Sequence, residues 1–234
     1  SDGYKKALQS YTLIPQMRLF CKTTWNRDEV RNHTGASCAI IGPSFESDLF
    51  LPRPRPAQDA VRIVAMVRPS SLYRSPRLTM EILRNIKKRH GDRVQIVTFG
   101  VQHDDPDFLA LPHDFEFQHL GLLTPRQIAS VLSTCDIFVD YSTHQAMGLT
   151  AMEAMGCAMA VIVPKRGGTS DFAMDGINAV VVDTADHAEC ERALDRLVID
   201  ADFRFSLRER AVMDIARCFP ERAALAMLNA IFSE

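Results

Sequence analysis

Residues 136–157 decide the fold, and they read DIFVDYSTHQAMGLTAMEAMGC. A run over residues 137–140 that is apolar except for Asp140 has the composition of a buried strand, and it leads into a polar loop. A helical pattern of apolar residues then begins at about Leu149. A strand, a loop and a helix in this order predict one unit of a parallel α/β sheet. Ligands bind beyond the carboxyl ends of such strands, so the loop is predicted to line a ligand site.

The same alternation of strands and helices begins at about residue 59. Most of the predicted strands are nearly continuous apolar runs, which is typical of strands that are buried on both faces. They cover residues 61–67, 94–99, 115–119, 137–140, 160–163 and 179–182. The sequence therefore predicts an α/β fold, in which a Rossmann-like parallel sheet carries helices on both faces and is followed by a helical carboxyl terminus.

Proline marks the start of two predicted helices, because its fixed φ suits the first helical position. Proline follows Ser75, where apolar residues at helical spacing predict a crossover helix over 75–90. Proline also follows Thr124 at the start of another helix. From residue 185 onward the pattern is mostly helical, and Pro220 separates a final short helix.

Composition narrows the range of partners. The chain has 234 residues, of which 47% are hydrophobic and 24% charged, so it can bury a substantial core. Its 27 basic residues nearly balance its 29 acidic ones, and a net charge of -2 gives no general attraction for nucleic acid. Any anion site must therefore be built locally, and no nucleic acid partner is expected.

The six cysteines form no CxxC pair and have no histidines at zinc spacing, so we interpret them as reduced and buried thiols. No apolar run approaches the roughly 18 to 20 residues that span a bilayer, and the first residues do not form a signal peptide. These features predict a cytoplasmic protein, and peripheral attachment to the inner face of a membrane stays open. The chain starts without methionine, which we interpret as processing or as a piece of something longer.

A change of composition predicts a domain boundary. Prolines alternate with arginines over residues 52–56, which is typical of a stiff, extended linker. Residues 1–51 are too few for a domain of their own. We therefore predict a short first segment over 1–51, a linker over 52–58 and one large domain over 59–234.

The start of the helix at Leu149 has the features of an anion site. Gly148 lets the main chain approach a ligand, and the free amides of Leu149, Thr150 and Ala151 are predicted to face a phosphate. Glu153 is the only acid of this otherwise apolar helix, and its carboxylate is predicted to accept both hydroxyls of a ribose. The alternative is a solvated or capping glutamate without a ligand.

Two further loops at strand ends are predicted to adjoin the same crevice. The loop over 164–171 carries Gly167, Gly168 and two cations, and it is predicted to lead into another helix. The loop after the first predicted strand supplies Arg68 and Arg74, whose guanidinium groups suit a pyrophosphate. For either arginine, a surface salt bridge is the alternative.

These segments together resemble the carboxyl-terminal domain of GT-B glycosyltransferases of family 4. The likeness spans residues 59–200, and it is carried by residues 136–142, 145–157, 167–168 and 175–178. The resemblance implies two facing Rossmann-like domains, of which this one binds a nucleoside diphosphate sugar. It also implies transfer with retention of the anomeric configuration, no metal and no other cofactor. Residues 1–51 would then be a remnant of the preceding acceptor-side domain.

The family signature contains two glutamates eight positions apart, and this chain departs from it at the first. The second glutamate, on the ribose, is Glu153, whereas the first position is Gln145. An amide can bind sugar hydroxyls, but it carries no charge to stabilise an oxocarbenium-like transition state. The resemblance assigns Arg68, Arg74 and Gln145 to catalysis. It puts Asp171 where the family has a glutamate after the paired glycines.

Two ring side chains near the predicted crevice have two interpretations each. His144 is predicted to contact the donor or the acceptor or to polarise the leaving phosphate, and the alternative is a structural role. Tyr73 is predicted to lie against the nucleobase, and the alternative is that it caps the sheet.

The resemblance predicts an enzyme of polysaccharide biosynthesis that transfers a hexosyl or deoxyhexosyl group, with a narrower likeness to bacterial rhamnosyltransferases. Its predicted partners are a nucleotide sugar, a glycan or lipid-linked acceptor and the acceptor-side domain of the same longer chain. Because this chain holds only the donor half, it is expected to be incomplete as a catalyst.

Two other functions are alternatives to this prediction. The first is a non-catalytic nucleotide-sugar-binding or scaffold module of a larger synthase, in which Gln145 marks lost chemistry. The second is a receiver-type regulatory domain, which requires a phosphorylatable aspartate after the first strand. Arg68 stands there instead, so the receiver hypothesis ranks last.

Overall fold

The computed structural model describes residues 2–55 and 59–232. Its first segment contains two helices and a small parallel sheet of two strands. These elements are α1 (Asp2–Ser10), β1 (Leu19–Cys21), α2 (Thr24–Thr34) and β2 (Cys38–Ile40). The predicted linker over 52–58 lies partly outside the described residues, at 56–58.

A six-stranded sheet forms the centre of the molecule, and neighbouring strands in it pair in parallel. Its strands are β3 (Val61–Met66), β4 (Val94–Phe99), β5 (Gln118–His119), β6 (Ile137–Val139), β7 (Ala160–Pro164) and β8 (Val180–Val182). Their order in the sheet is β5-β4-β3-β6-β7-β8. The chain builds one half outward from β3 and then returns to build the other half from β6, which is a doubly wound topology. The predicted fold class is confirmed.

All six predicted strands are present, but the third is shorter than predicted. Only Gln118–His119 pairs with β4, whereas the sequence predicts a strand over 115–119. β5 lies at the edge of the sheet, where short strands are common. The rings of Phe115 and Phe117 pack against each other at 4.8 Å, and Phe117 lies 6.5 Å from Phe108. The chain before β5 therefore follows an aromatic cluster rather than the neighbouring strand.

Helices cover both faces of the sheet, as predicted. They are α3 (Pro76–His90), α4 (Pro106–Leu109), α5 (Pro125–Leu132), α6 (Leu149–Gly156), α7 (His187–Ile199), α8 (Ala201–Ile215) and α9 (Pro220–Phe232). Ser75 and Thr124 precede α3 and α5, and Pro220 begins α9, so these helix starts are confirmed. Among the described residues, no helix is long and apolar enough to span a membrane.

One predicted helix is absent. The sequence predicts a helix after the loop over 164–171, but the structure has only a short 3-10 turn there, at Gly168–Asp171. The chain then folds around the buried side chain of Asn178, which donates to Phe172 O over 3.0 Å and accepts from Met174 N over 2.7 Å. These bonds close a loop and leave no length for a helix before β8. This prediction was wrong.

The alternation of side chains along the strands divides the core into two layers. Ile63 and Ile137 face the layer formed with α3 and α7, whereas Val64 and Phe138 face the layer formed with α5, α6 and α8. All four side chains are almost completely buried. Full burial of such a side chain contributes about 1.5 to 3 kcal/mol. The pairing of β3 with β6 is therefore held from both sides, and it fixes the loops that follow these strands.

The six cysteines are buried and free of disulfide bonds, which agrees with their interpretation as structural thiols. Burial raises the pKa of the Cys157 thiol to about 12. A thiol with a raised pKa stays protonated near neutral pH and is a poor nucleophile.

The first segment and the linker pack onto the large domain. Phe45 and Phe50 lie in the same core layer as α6. The Arg55 guanidinium donates to Cys157 O over 2.7 Å and to Ala158 O over 2.8 Å. The described part of the linker is therefore anchored to the sheet domain by a partly buried cation.

The last helix returns to the first segment. Arg18 donates to Ala230 O over 3.1 Å and also to Ile231 O. Phe45 N donates to Cys218 O over 3.3 Å at the turn before α9. The first segment is thus in contact with the last helix and with the turn that precedes it.

Candidate functional site

A cavity of about 190 Å³ opens at the carboxyl edge of the sheet, between the loops that follow β3 and β6. These two strands are neighbours where the strand order reverses, which is where ligands bind in doubly wound folds. The predicted site residues that line the cavity are Arg68, Arg74, Gln145, Gly148, Leu149 and Thr150.

A larger cavity of about 380 Å³ lies elsewhere, between residues 40–43 and the start of α9. Its wall contains Asp171, Arg217 and Arg222 together with apolar residues. We assign the functional site to the smaller cavity, because only that cavity combines the switch point of the sheet with a helix start and the ends of two central strands.

A tight turn after β3 brings the two arginines to the smaller cavity. Ser71 N donates to Arg68 O over 3.0 Å, and Arg74 N donates to Ser71 O over 2.8 Å. Ser75 then adopts a left-handed conformation, with φ 49°, before α3 begins at Pro76. A left-handed backbone is unfavourable for serine and persists where the surroundings impose it. The turn therefore fixes where both arginine side chains leave the main chain.

Neither arginine has an anionic partner among the residues that the structure describes. Within the ranges 2–55 and 59–232, Arg68 and Arg74 form no ion pair with a carboxylate. Arg74 Nε is buried without a hydrogen-bond partner, and Arg74 Nη1 lies 3.8 Å from Met66 Sδ, a weak acceptor. A buried donor without a partner costs free energy, and an anion in the cavity would satisfy it.

The first turn of α6 faces the same cavity. Gly148 precedes the helix with φ 84°, and an added Cβ there would lie 2.8 Å from Thr169 Cγ2. No described side chain caps this helix, so the amides of Leu149 and Thr150 lack a capping acceptor. Amides at a helix start carry partial positive charge and bind phosphate. The arginines and these amides therefore offer positive charge from two sides.

Glu153 lies one turn further along α6, on the same face as Leu149 and Thr150. Its carboxylate has no hydrogen bond or ion pair with any described residue. Burial raises the pKa of Glu153 to about 7, and the charge of Glu46 acts in the same direction. Donors from a ligand would favour the ionised carboxylate. The position is compatible with the predicted contact to ribose.

Gln145 lines the cavity, but its side-chain amide is already engaged. Gln145 Nε2 donates to Asp140 Oδ2 over 2.7 Å and to Ser142 Oγ over 3.0 Å. Asp140 also accepts from Ser142 N, over 3.0 Å, and from Ser142 Oγ. Sequence reasoning missed Asp140 as a site residue, because it stands at the end of the apolar run 137–140. The available signal was the single charge in that run, just beyond the end of β6.

Gly167 and Gly168 do not line the cavity, and the amide of Gly168 is not free. Gly168 N donates to Gln145 O over 2.7 Å, and Gln145 N donates to Arg166 O over 3.3 Å. An added Cβ on Gly168 would lie 2.2 Å from Ala146 O. The paired glycines therefore let two loops join through their main chains, and the prediction that both present free amides to a ligand needs this correction.

Tyr73 and His144 lie outside the wall of the cavity and contact each other. Their rings stack at 5.3 Å, and the ring of Trp25 in α2 lies 5.7 Å from that of His144. Thr143 N also donates to Tyr73 O over 2.7 Å, which ties the two loops together. Sequence reasoning missed Trp25, because nothing in the local pattern of the first segment connects it with residue 144.

The first segment also contacts the loop that follows β6 directly. Thr23 Oγ1 donates to Ala146 O over 2.8 Å. Asp171 Oδ2 accepts from Thr24 N over 2.8 Å, at the first turn of α2. The carboxylate that the resemblance aligns with a family glutamate therefore faces the first segment rather than the cavity between β3 and β6.

The fold and the site define a doubly wound α/β domain with a cationic cavity at its switch point. The family model of glycosyl transferases group 1 matches residues 52–213, which is more than half of the 234 residues. The chain belongs to this family of enzymes, and the resemblance drawn from the sequence is confirmed.

Curated relatives match parts of this chain. It is 28% identical over 184 residues to the D-inositol 3-phosphate glycosyltransferase of Corynebacterium kroppenstedtii, covering 74% of this chain and 40% of that protein. It is 33% identical over 106 residues to the alpha-maltose-1-phosphate synthase of Mycolicibacterium smegmatis, covering 43% of this chain and 27% of that protein. The matches span less than half the length of either relative.

Solved structures share the fold at low sequence identity. The crystal structure of Anabaena Alr3699/HepE in complex with UDP and glucose superposes with a TM-score of 0.76 and 14% identity, over 93% of this chain and 63% of that one. TarM superposes with a TM-score of 0.81 and 16% identity, over 100% of this chain and 46% of that one. At these identities the likeness concerns the fold.

Proposed function

We propose that this chain binds a nucleoside diphosphate sugar in the cavity between the β3 and β6 loops and forms the donor-binding half of a retaining glycosyltransferase. One observation carries the proposal. The guanidinium groups of Arg68 and Arg74 and the uncapped amides of α6 surround one cavity, and no described carboxylate forms an ion pair with either arginine. Such a cavity suits an anion with several oxygen atoms.

The pyrophosphate of the donor supplies those oxygens. Arg74 Nε would gain the acceptor that it lacks, and the amides of Leu149 and Thr150 would bind the same group. Negative charge develops on the β-phosphate when its bond to the sugar breaks, and fixed donors stabilise that charge. This step needs neither a metal nor another cofactor, because the protein supplies the positive charge.

The nucleoside lies further along α6 in this proposal. Glu153 is one turn from the phosphate-binding amides, so its carboxylate can accept hydrogen bonds from both ribose hydroxyls. Burial has removed part of the water that would solvate this carboxylate. Hydrogen bonds from the ligand would take the place of that water and stabilise the ionised form of Glu153.

The known relatives support a nucleotide sugar as donor. One similar structure holds UDP and glucose, so a uridine nucleotide is a sensible first probe. For this chain we propose transfer of a hexosyl or deoxyhexosyl group to a glycan or lipid-linked acceptor in polysaccharide biosynthesis. A cytoplasmic location, with or without peripheral attachment to the inner face of a membrane, belongs to the same proposal.

The acceptor would bind between this domain and an acceptor-side domain of a longer chain. Residues 1–51 are then a remnant of that domain, residues 52–58 the linker and residues 59–234 the donor domain. The contacts of Thr23 and Trp25 with the loop after β6 support a shared interface. Closure of the two domains would exclude water and complete the site.

Calorimetric titration with UDP-, GDP- and dTDP-sugars tests the proposal. The chain is expected to bind at least one of them, and Arg68→Ala is expected to weaken that binding about tenfold or more, because a hydrogen bond to a charged group contributes about 1.5 to 3 kcal/mol. Arg126→Ala is the matched control, since Arg126 is exposed on α5 and does not line the cavity. Binding that survives in Arg68→Ala as it does in Arg126→Ala would reject the phosphate role.

A non-catalytic nucleotide-sugar-binding or scaffold module is the second candidate. It is favoured by one observation, the amide at Gln145 where the family has an acid. A chain extended by its acceptor-side domain would distinguish the two. Release of nucleoside diphosphate in the presence of acceptor supports the enzyme, whereas tight donor binding without release supports the scaffold.

A further inference from the structure

The cavity between the β3 and β6 loops contains a single carboxylate among its lining residues, that of Asp140. β6 ends at Val139, so Asp140 is the first residue beyond the strand and stands at the carboxyl edge of the sheet. Its side chain is only partly buried, and no cation of the described chain pairs with it. Asp140 thus brings a carboxylate that forms no ion pair within the described chain to the same cavity as Arg68 and Arg74.

Neutral donors hold this carboxylate in place. Gln145 Nε2 donates to Oδ2 over 2.7 Å, and Ser142 N donates to Oδ1 over 3.0 Å. An ionised carboxylate has about four acceptor positions, so these bonds leave capacity for a ligand. Because the donors are uncharged, the negative charge is oriented without being neutralised.

The side chain at position 145 matches this arrangement. A glutamate at Gln145 would put a second carboxylate within hydrogen-bond distance of Asp140, and two like charges so close repel each other. An amide supplies the donor that Asp140 needs. The amide at position 145 and the acid at position 140 are therefore complementary, because one donates the hydrogen bond that the other accepts.

The geometry points to Asp140 as the carboxylate that binds the transferred sugar, and we propose that Gln145 and Ser142 position it for that contact. The proposal rests on the proposed function, because it assumes a diphosphate on Arg68 and Arg74. A diphosphate bound there and at the first turn of α6 leaves Asp140 and Gln145 as the polar wall for the group attached to it. Carboxylates recognise sugars by accepting hydrogen bonds from their hydroxyl groups.

The test compares each nucleoside diphosphate with its sugar form in the same protein. The probes are UDP with UDP-glucose, GDP with GDP-mannose and dTDP with dTDP-rhamnose, titrated by calorimetry. The measured quantity is the ratio of the two affinities, which isolates the contribution of the sugar. Asp140→Asn is expected to lower this ratio about tenfold or more, because a hydrogen bond to a charged group is lost.

A second pair of variants keeps the test independent of folding defects. Gln145→Glu alone is expected to lower the ratio, because it sets two carboxylates against each other. The double variant Asp140→Asn with Gln145→Glu exchanges amide and acid, so it restores one carboxylate with one amide donor. Its ratio is expected to return to within about threefold of the unchanged chain, which independent damage at two sites would not produce.

Different failures have different meanings. If the unchanged chain binds none of the six probes, both the proposed function and the assignment of Asp140 to the sugar are rejected. If it binds them but gains nothing from any sugar, or if Asp140→Asn leaves the ratio unchanged, only the role of Asp140 is overturned. A double variant that is worse than both single variants would likewise reduce Asp140 and Gln145 to a structural pair.

Discussion

The main chain of Gly167 lies so close to that of Gln145 that an added Cβ would be 2.1 Å from Gln145 O. The two residues form a parallel bridge, and Gly167 has φ 118°, a conformation that is unfavourable for residues with a side chain. The loops after β6 and β7 are therefore joined at the point where Gln145 enters the cavity. A side chain at residue 167 must separate them.

Gly167→Ala is expected to lower the free energy of unfolding by about 2 kcal/mol or more, because it adds a main-chain clash to an unfavourable φ. It is also expected to weaken nucleotide binding, since the wall that contains Gln145 moves. Urea denaturation and titration with UDP measure the two effects. Gly176→Ala is the control, because Gly176 also has a positive φ, 68°, but open space around it. Equal effects of both substitutions would show that the loop contact is unimportant.

Glu153 should make the stability of the protein depend on pH. Its pKa is raised from 4.5 to about 7, so its contribution to stability is fully present below pH 4.5 and is lost as pH rises through 7. Glu153→Gln removes this dependence, and its gain over the unchanged chain is expected to grow between pH 5 and 8 toward a limit of about 3 kcal/mol. Denaturation at several pH values measures the difference. A gain that is constant with pH would contradict the raised pKa.

The affinity for a nucleotide sugar should respond to the same titration. Ribose hydroxyls donate to the ionised carboxylate, so the affinity is expected to rise as pH increases through 7 and binding should release protons from Glu153. Calorimetry in two buffers of different ionisation enthalpy counts these protons. Glu153→Gln is expected to bind more weakly and without proton release, and a release of the same size in that variant would assign the titration to another group.

The fluorescence of Trp25 reports on the first segment, because Trp25 is the single tryptophan of the chain. His144→Ala removes the ring that lies 5.7 Å from Trp25, so the emission of Trp25 is expected to shift to longer wavelength as water gains access. Donor affinity is expected to change less than about threefold, because His144 does not line the cavity. A loss of tenfold or more would instead support the direct substrate contact predicted from the sequence.

A substitution at the start of α5 should lower the stability of the protein without changing its affinity for the donor. Thr124 and Gln127 form a capping box at the start of this helix, away from the cavity. Thr124→Ala is expected to cost about 1 kcal/mol and to lower the melting temperature by about 2 to 4 °C, with donor affinity unchanged. Arg126→Ala, on the exposed surface of the same helix, should change neither quantity. A weakened affinity in Thr124→Ala would mean that α5 influences the site.

The sheet could be predicted from the sequence because strands that are buried on both faces are nearly continuous apolar runs. The sequence misses the length of β5 because the position of Phe117 beside Phe108 depends on a contact between separate parts of the chain. The absent helix after residue 171 has a similar cause. Asn178 closes that loop through bonds that no local pattern reveals.

The site residues that lie in the loops after the strands could be predicted from the sequence. Arg68 and Arg74 come together with Gly148 because parallel strands end at one edge and β3 neighbours β6. Gly168 was interpreted as a ligand contact because a glycine that approaches a ligand and one that approaches another loop look alike in sequence. The pairing of Asp140 with Gln145 depends on side-chain geometry, which spacing alone does not contain.

The bond between Arg18 and α9 joins residues 212 positions apart in the chain. Closing a loop of this length costs conformational entropy, so the contact is favoured once the intervening chain is compact. Loss of this contact would free the end of α9, whereas β1 would stay paired with β2 and Thr23 would stay bonded to Ala146. We therefore expect the main-chain amides at the end of α9 to exchange with deuterium before those of β1 and of the central sheet.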